Sequence, residues 1–372
     1  MKQTTLAEGG FEKYGRTTRR AAFLEEMERV VPWSELCALI EPHYPKAGNG
    51  RPPIGLERML RLHFLQHWFN LSDPGLEDAL YDSNALRQFA GIDLGREPVP
   101  DETTVCKFRH LLERHDLGRQ IFERVGQHLQ AKGFKLSAGT IVDATLISAP
   151  TSTKNQDRQR DPEMGTTKKG GQWGYGMKAH IGVDDKTKLI HTVVATPANR
   201  ADAMMLGQLL HGRERRVWGD KAYFGLSSVI KQVAPRARDL TQLKNNVNRR
   251  LTPLDEIVNG IRSRTRAKVE HCFGVIKCVF GWRKLSYKGM AKNANRLMTT
   301  AALCNLYMVR RKLASRRHRG LGALGASAQE STETDLKVPL SMSRCASTPC
   351  VAPAAGLNMP NGLLATVDQT FL

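Results

Sequence analysis

The spacing of apolar residues changes at Gly139, and this change constrains the fold more than any other feature of the sequence. Before it, apolar residues recur at helical intervals, as in IGLERMLRLHFLQHWF after Pro52 and Pro53, and proline is common where a helix begins. After it comes TIVDATLI, a short β-branched run that is typical of a buried strand. We therefore expect a helical region followed by a sheet.

More strands are expected further along the chain. MKAHIGVDDKTKLIHTVVAT predicts a hairpin that turns at residues 184–187, and RRVWGDKAYFG predicts a fourth strand. A helix expected over 201–211 allows a right-handed crossover that places the fourth strand beside the first. The polar stretch 151–176 predicts a loop. The pattern indicates an α/β fold with a mixed sheet.

Three regions follow from these patterns. Residues 1–135 are expected to form a helical N-terminal domain and residues 136–313 an α/β domain. Residues 314–372 are rich in Ala, Ser, Gly, Pro and Thr without periodicity, which predicts a tail of low order. The first region is either a DNA-docking module of helix-turn-helix type or a plain helical interaction domain. The bases that a DNA-docking module would be expected to expose are Arg51, Arg58, Arg61, Lys107 and Arg109.

The charge of the chain indicates a polyanionic partner. It has 56 Lys and Arg against 36 Asp and Glu, a net charge of +20, and residues 244–319 alone hold 19 bases and 3 acids. Such an excess favours nucleic acid. Seven cysteines without a CxxC pair argue against a disulfide framework or a zinc site. No apolar run approaches the ~20 residues of a membrane span, so we expect a cytoplasmic protein without a membrane partner.

Three carboxylates stand out by their positions. Asp143 lies within TIVDATLI, where a buried, unpaired acid would be costly. Asp220 ends the strand VWGD, and Glu270 is the single acid in the basic segment RTRAKVEHCFGVIK. If the first and fourth strands are neighbours, the two aspartates meet, and a helix packed on the sheet can bring the glutamate to them.

Helical geometry supports this grouping. At about 100° per residue, Arg266, Glu270 and Lys277 fall within about 40° of one another. They lie beside an apolar stripe of Val269, Phe273, Ile276 and Phe280. Three acids held together need compensating charge, and oxygen ligands suit a pair of Mg²⁺ ions, with Mn²⁺ as a substitute. Asp143, Asp220 and Glu270 are thus the expected metal ligands and catalytic residues, while Arg266 and Lys277 would grip DNA phosphates.

Further DNA contacts are expected around these acids. Lys221 and Tyr223 follow Asp220 directly and can approach the cleaved phosphate. Trp173, near Lys168, can stack on an unpaired base, and a loop merely anchored by its aromatic residues is the equal alternative. A pair of acids at 184–185 is explained as turn formers.

Taken together, the acids and bases resemble a known family. Asp143 in IVDATLI, Asp220 in VWGDKAYFG and the run Arg266-x3-Glu270-x6-Lys277 are similar to the DDE transposases of bacterial insertion sequences, in particular the group named after insertion sequence five. The resemblance runs from about Phe11 to Leu313. It implies a ribonuclease-H-like catalytic domain and a helical N-terminal region.

The resemblance also implies an activity and its partners. The expected function is metal-dependent DNA strand cleavage and strand transfer at the terminal inverted repeats of an element, by a homodimer or larger assembly in the bacterial cytoplasm, at the nucleoid. One position departs from the family pattern, because Ser263 stands where a Tyr is frequent. Two alternatives stay open: a structure-specific nuclease on the same fold, and a DNA-binding remnant without catalysis.

Overall fold

A computed structural model of the chain describes residues 16–49, 52–154, 158–245 and 250–326, with the backbone alone at residues 169 and 314–326. Within these residues, helices fill the chain before the first strand, as predicted. They are α1 (Arg19–Val30), α2 (Trp33–Ile40), α3 (Leu56–Phe69), α4 (Asp73–Asp82), α5 (Asn84–Ala90), α6 (Glu102–Arg114) and α7 (Leu117–Ala131).

Side-chain caps explain where several of these helices begin. The side chains of Thr18, Ser72 and Asp101 accept hydrogen bonds from the first free amides of α1, α4 and α6, which satisfies donors that have no partner inside the helix. The most central helix is α3, whose largest side chains, Phe64 and Trp68, are almost fully buried. Aromatic side chains of α3 therefore fill the interior of the helical region.

The second region is built on a mixed sheet. Its strands are β1 (Gly139–Ser148), β2 (Gly165–Lys169), β3 (Gln172–Asp184), β4 (Ile190–Pro197), β5 (Arg216–Trp218) and β6 (Arg238–Asp239). Strand β1 is central. It pairs antiparallel with β3 and parallel with β5, so that Thr140 faces Asp184 on one side and Val217 on the other. β4 is the outer neighbour of β3, and β6 runs parallel to β5.

This arrangement confirms the predicted ribonuclease-H-like mixed sheet, in which four strands that pair antiparallel, β1 to β4, precede two that pair parallel, β5 and β6. The parallel pairing of β1 with β5 also confirms the expected crossover. The loop predicted over 151–176 is partly wrong, because β2 and the first half of β3 form a hairpin within it. Strand β6 was not expected from the sequence.

Five helices complete the described chain: α8 (Leu206–Leu209), α9 (Ser227–Val233), α10 (Pro253–Arg266), α11 (Lys268–Gly274) and α12 (Met290–Ala326). A single π-helical turn, Val275–Val279, follows α11. The predicted helix around Glu270 is therefore not continuous, since it is interrupted at Ala267 and again at the π-turn. The last helix continues beyond Leu313, where ordered structure was expected to end, and residues 327–372 lie outside the described residues.

One hydrophobic core runs through both regions. It includes Phe64 and Trp68 of α3, Ile141 of β1 and Leu303 of α12. A second, smaller cluster lies around Leu206, Val217 and other residues of the opposite sheet face. The domain boundary near residue 135 remains a prediction, because the packing of side chains is continuous across it.

Candidate active site

Asp143 is held at the centre of the sheet. It lies opposite Ile181 in the β1–β3 ladder and is only 8% exposed. Its Oδ1 accepts a hydrogen bond from the Ala144 amide at 2.8 Å, and its Oδ2 accepts one from Nη1 of Arg266 at 2.6 Å. A carboxylate this deep requires such partners, because an unpaired buried charge is strongly unfavourable.

Asp220 lies just beyond the carboxyl end of β5. The strand ends at Trp218, and Gly219 brings the chain to Asp220, whose side chain caps the short 3₁₀ turn Lys221–Tyr223 through a 2.9 Å bond from the Ala222 amide. Because β5 is the parallel neighbour of β1, this turn places the second aspartate at the sheet edge next to the first.

Glu270 is in the first turn of α11, where the preceding residue, Val269, is fully buried against the core. Its own side chain is 58% exposed, and its Oε1 lies 3.4 Å from Nη2 of Arg266. The expected apolar stripe is confirmed, because all of its members are buried: Val269, Phe273, Ile276 and Phe280. Glu270 therefore stands at the border between the core and solvent.

Arg266 links two of the three acids. Its guanidinium contacts Asp143 and Glu270 at once, although its own side chain is 22% exposed. A planar guanidinium can serve two carboxylates in this way, since its donors point in fixed directions. In this structure, the guanidinium that was predicted to hold DNA phosphates therefore contacts the two acids.

The electrostatics of Asp143 show that the three acids share one environment. Burial is the main cause that raises the pKa of Asp143 to about 6, and the negative charges of Asp220 and Glu270 contribute to this rise, as neighbouring carboxylates do. The Ala144 amide and Arg266 act in the opposite direction. The fold therefore concentrates negative charge at this point.

The donor set suits a divalent cation, but the side chains do not yet form a coordination group. Carboxylate oxygens are the preferred ligands of Mg²⁺ and Mn²⁺, and the repulsion felt by Asp143 is what a cation relieves. Among the residues that the structure describes, however, no three His, Cys, Asp or Glu side chains are close enough to hold a metal ion.

A cleft of about 770 Å³ opens beside Asp220. Its walls come from β1, from the β2–β3 hairpin and from the turns after β4 and β5. Trp173 and Lys277 both line it, so the structure brings two of the predicted DNA contacts to the same cleft as the second aspartate. Nζ of Lys277 also donates a 2.6 Å hydrogen bond to the carbonyl of Leu146.

Trp173 is the most exposed of these side chains. It is 72% exposed on the β2–β3 hairpin, and Nζ of Lys168 lies 5.5 Å from the centre of its ring. The alternative of a loop anchored by aromatic residues does not describe this tryptophan, because an anchoring side chain is buried. Lys221, next to Asp220, is exposed as well. Both residues remain predicted DNA contacts.

The prediction that Tyr223 contacts DNA is wrong. Its side chain is 1% exposed, so a direct contact with DNA does not fit its position. Gly219 explains the burial, since a Cβ there would lie 2.8 Å from Cδ2 of the tyrosine ring, and only glycine leaves room for it. The Tyr223 hydroxyl is buried without a hydrogen-bond partner among the described residues. Burial raises the pKa of Tyr223 far above its usual value, and the charges of Asp202, Asp143 and Asp220 raise it further.

Sequence reasoning missed a charged pair in the cleft. Nζ of Lys178 lies 2.9 Å from Oδ1 of Asp202 and donates to the Arg200 carbonyl at 2.9 Å. Both members of the pair line the cleft with Asp220. The available signal was Lys178 within the otherwise apolar strand pattern MKAHIGVD, because a charged residue in such a pattern requires a partner of opposite charge. The acids at 184–185 are turn residues as predicted, since Asp184 accepts hydrogen bonds from Thr187 within the hairpin turn.

Two family models of transposases match regions of the chain. Residues 135–306 match the family described as transposase DDE domain, and residues 12–111 match the family described as transposase domain (DUF772). Among solved structures, the chain is similar to a piggyBac transposase in a synaptic complex with hairpin DNA, with 10% identity and a TM-score of 0.42. That similarity covers 80% of this chain and 75% of the other.

The sheet, with two aspartates at neighbouring strands and a glutamate on the adjacent helix, defines a DNA-processing enzyme of the DDE class. The two matched regions together span most of the chain, and it belongs to the DDE transposases of insertion sequences. Membership in the group named after insertion sequence five remains a prediction. DNA is accordingly a partner, and divalent metal ions are required in general for this class. Within the described residues, no helix has both the length and the apolar character needed to cross a membrane.

Proposed function

We propose that this transposase cuts DNA at the terminal inverted repeats of its element and joins the freed 3′ end to target DNA. The observation that carries the proposal is the position of Asp220 and Glu270 beside Asp143: β5 is the parallel neighbour of β1, and the Arg266 guanidinium contacts both Asp143 and Glu270. A phosphodiester is cut by an attacking oxygen in line with a leaving oxygen, and both need charge stabilisation. We infer that the three acids hold the ions that provide it.

Asp143, Asp220 and Glu270 are the proposed ligands of two Mg²⁺ ions, which Mn²⁺ can replace. When bound, such ions would supply the positive charge that activates an attacking oxygen and stabilises a leaving one. The positions of the acids suit this role. Asp143 is fixed by the pairing of β1 with β3, and Asp220 is fixed by the hydrogen bond that it accepts from the Ala222 amide. Glu270 is the most exposed of the three acids and can adjust to the ions.

Arg266 has two tasks in this proposal. It balances the charge of Asp143 through its 2.6 Å contact, and it passes to a DNA phosphate when cations take over that carboxylate. A guanidinium can bind carboxylates and phosphates with the same planar donors. The exchange keeps the charge of the cluster compensated throughout.

The cleft beside Asp220 is the proposed path of the DNA strand. Lys277, Lys221 and Lys168 supply positive charge along it or at its edge, and backbone phosphates are held by such contacts. Trp173 can stack on a base that leaves the helix near the cut, because stacking does not depend on sequence. The helical region, residues 1–135, is proposed to bind the DNA ends, and two ends imply at least a homodimer.

The test uses a labelled duplex that ends in an inverted repeat. This repeat is first to be identified in the DNA that flanks the coding region. Wild type with Mg²⁺ should nick this duplex, and with EDTA it should not. A second substrate carries a precleaved 3′ end together with target DNA. Joined product supports the transposase mechanism. Nicking without joining identifies a nuclease, and binding without nicking identifies a remnant, so either result contradicts the proposal.

A further inference from the structure

Lys178 and Asp202 form an ion pair in the wall of the cleft beside Asp220. Nζ of Lys178 lies 2.9 Å from Oδ1 of Asp202 and donates a 2.9 Å hydrogen bond to the Arg200 carbonyl. An ammonium group has three donors, so these two contacts fix its direction and leave one donor for a ligand. The Lys178 side chain is only 14% exposed, whereas lysine side chains are mostly exposed. The pair therefore holds a lysine inside the cleft.

A buried histidine lies against Asp202 on the side away from the cleft. Nδ1 of His180 is 3.8 Å from Oδ1 of Asp202, and Nε2 of His180 is 2.8 Å from Oγ1 of Thr196. Burial lowers the pKa of His180 to about 4, so the imidazole is neutral near pH 7 and does not balance the acid. Lys178 is therefore the cation that compensates Asp202, and a partly buried carboxylate requires one.

Lys178 and Lys277 reach the cleft from opposite faces of the sheet. Lys178 lies directly opposite Leu146 in the β1–β3 ladder, and residues paired in this way project from the same face. Asp143 is three positions before Leu146 on β1, so its side chain projects from the other face, where Arg266 contacts it. The π-helical turn that carries Lys277 directly follows α11 on that second face, and Lys277 donates to the Leu146 carbonyl. The two lysines therefore approach the end of β1 from different sides.

We propose that Lys178 binds a DNA phosphate in the cleft, that Asp202 positions it, and that this phosphate differs from the one bound by Lys277. The proposal rests on the proposed function for the identity of the strand. A phosphate in the cleft meets the remaining donor of the ammonium group, and the contact between Lys178 and Asp202 stays intact. Two cations that hold one strand at two phosphates fix its direction past Asp220.

The experiment measures binding of the full chain to the labelled terminal repeat duplex, without metal, by fluorescence anisotropy. Each duplex carries one methylphosphonate, an uncharged replacement for a single phosphate, and its position is moved along both strands through the cut site. In wild type, replacement of the phosphate held by Lys178 should weaken binding about fivefold. Lys178→Ala should bind the unmodified duplex about fivefold more weakly, and replacement at this one position should then have no further effect.

Three further variants control this measurement. Lys186→Ala changes an exposed lysine in the turn after β3, outside the cleft, and should keep every wild-type effect. Lys178→Arg keeps the charge and should retain the effect at the same phosphate. Lys277→Ala should lose its effect at a different phosphate. A poorly folded variant binds all duplexes more weakly, so it cannot imitate the loss of one position. Additive effects at every position in Lys178→Ala overturn the proposal, and so does a position shared with Lys277→Ala.

Asp202→Asn tests the positioning role. Loss of this charge makes the cleft more positive, so charge alone would strengthen binding to every duplex. Positioning instead predicts that the methylphosphonate effect at the Lys178 phosphate shrinks, because the ammonium group is no longer held. An effect of wild-type size in Asp202→Asn overturns the role of Asp202. All of these measurements use binding without metal, so a chain that binds DNA but does not nick it contradicts the proposed function and still gives a result here.

Discussion

The guanidinium of Arg266 donates a 2.6 Å hydrogen bond to Asp143, and this contact joins the end of α10 to the central strand of the sheet. The same guanidinium reaches Glu270 at 3.4 Å. One base therefore gathers two of the three proposed ligands, and the third, Asp220, acts on the same carboxyl through its charge. The Arg266 guanidinium thus holds Asp143 and Glu270 together, and it would compete with the proposed metal ions for the same oxygens.

Asp220→Asn is expected to abolish nicking. The change keeps the shape of the side chain but removes the charge that a divalent cation requires. Binding to the terminal repeat should stay within a few-fold of wild type, because the phosphate contacts are on other residues. Nicked product on a denaturing gel measures the first effect and a mobility-shift titration the second.

The matched control is Asp93→Asn, an acid of the helical region that pairs with Arg96 on the surface. It should cut like wild type. Normal cutting by Asp220→Asn would mean that another acid, with Asp202 of the same cleft as the first candidate, holds the cation.

Lys277→Ala is expected to weaken DNA affinity and to reduce its salt dependence. Each phosphate contact that is lost lowers the slope of log K against log salt by about one. Affinities measured between low and moderate salt by fluorescence anisotropy give this slope. Lys231→Ala on α9, an exposed lysine outside the cleft, is the control and should keep the wild-type slope. An unchanged slope in Lys277→Ala would remove this lysine from the DNA path.

The acid cluster and most of the sheet follow from sequence because both have local signals. β-Branched runs mark β1 and β4. The crossover that sets β5 beside β1 follows the general right-handed preference of parallel connections. An acid inside an apolar strand, Asp143, indicates a functional position because its burial has to be compensated.

Other features could not be predicted because they depend on packing. Strand β2 reads GTTKK, and a polar hairpin that projects from the sheet has no buried face to impose alternation on its sequence. A helical wheel assumes constant rotation, so it misses both the break at Ala267 and the π-turn that shifts Lys277. Amphipathicity alone would turn the apolar residues of α10 inward, whereas Leu254, Ile257 and Ile261 are exposed. The burial of Tyr223 depends on the space left by Gly219.

Tyr223→Phe is expected to leave stability unchanged or to raise it. The Tyr223 hydroxyl is buried without a partner among the described residues, and such a group costs about 1–3 kcal/mol relative to its hydrated state. Removing the oxygen should therefore change the free energy of unfolding by about 0 to +2 kcal/mol, measured by urea titration. Tyr44→Phe is the matched control, because that hydroxyl donates to the Ile54 carbonyl. The control should lose about 1 kcal/mol. An equal loss in both variants would show that the Tyr223 hydroxyl has a partner.

Because several histidines are buried, we expect the free energy of unfolding to fall in mild acid. Burial, with the charges of Arg109 and Arg296, lowers the pKa of His63 to about 3, whereas an unfolded histidine titrates near pH 6.5. Below pH 6.5 the unfolded chain gains a proton that the folded chain does not take up. The contribution of His63 is therefore complete above pH 6.5 and decreases by about 1.4 kcal/mol per pH unit as the pH falls toward 3.

Urea unfolding at pH 7 and pH 5 measures this effect. His63 should account for about 2 kcal/mol of the fall in the free energy of unfolding between the two values. His63→Gln removes the titrating group, so the fall in this variant should be smaller than in wild type by that amount, whatever its stability at pH 7. Burial also lowers the pKa of His67 and of His191, so part of the decrease should persist in the variant. An identical decrease in both proteins would mean that His63 takes up its proton in the folded chain as readily as in the unfolded one, which its position beside Arg109 and Arg296 argues against.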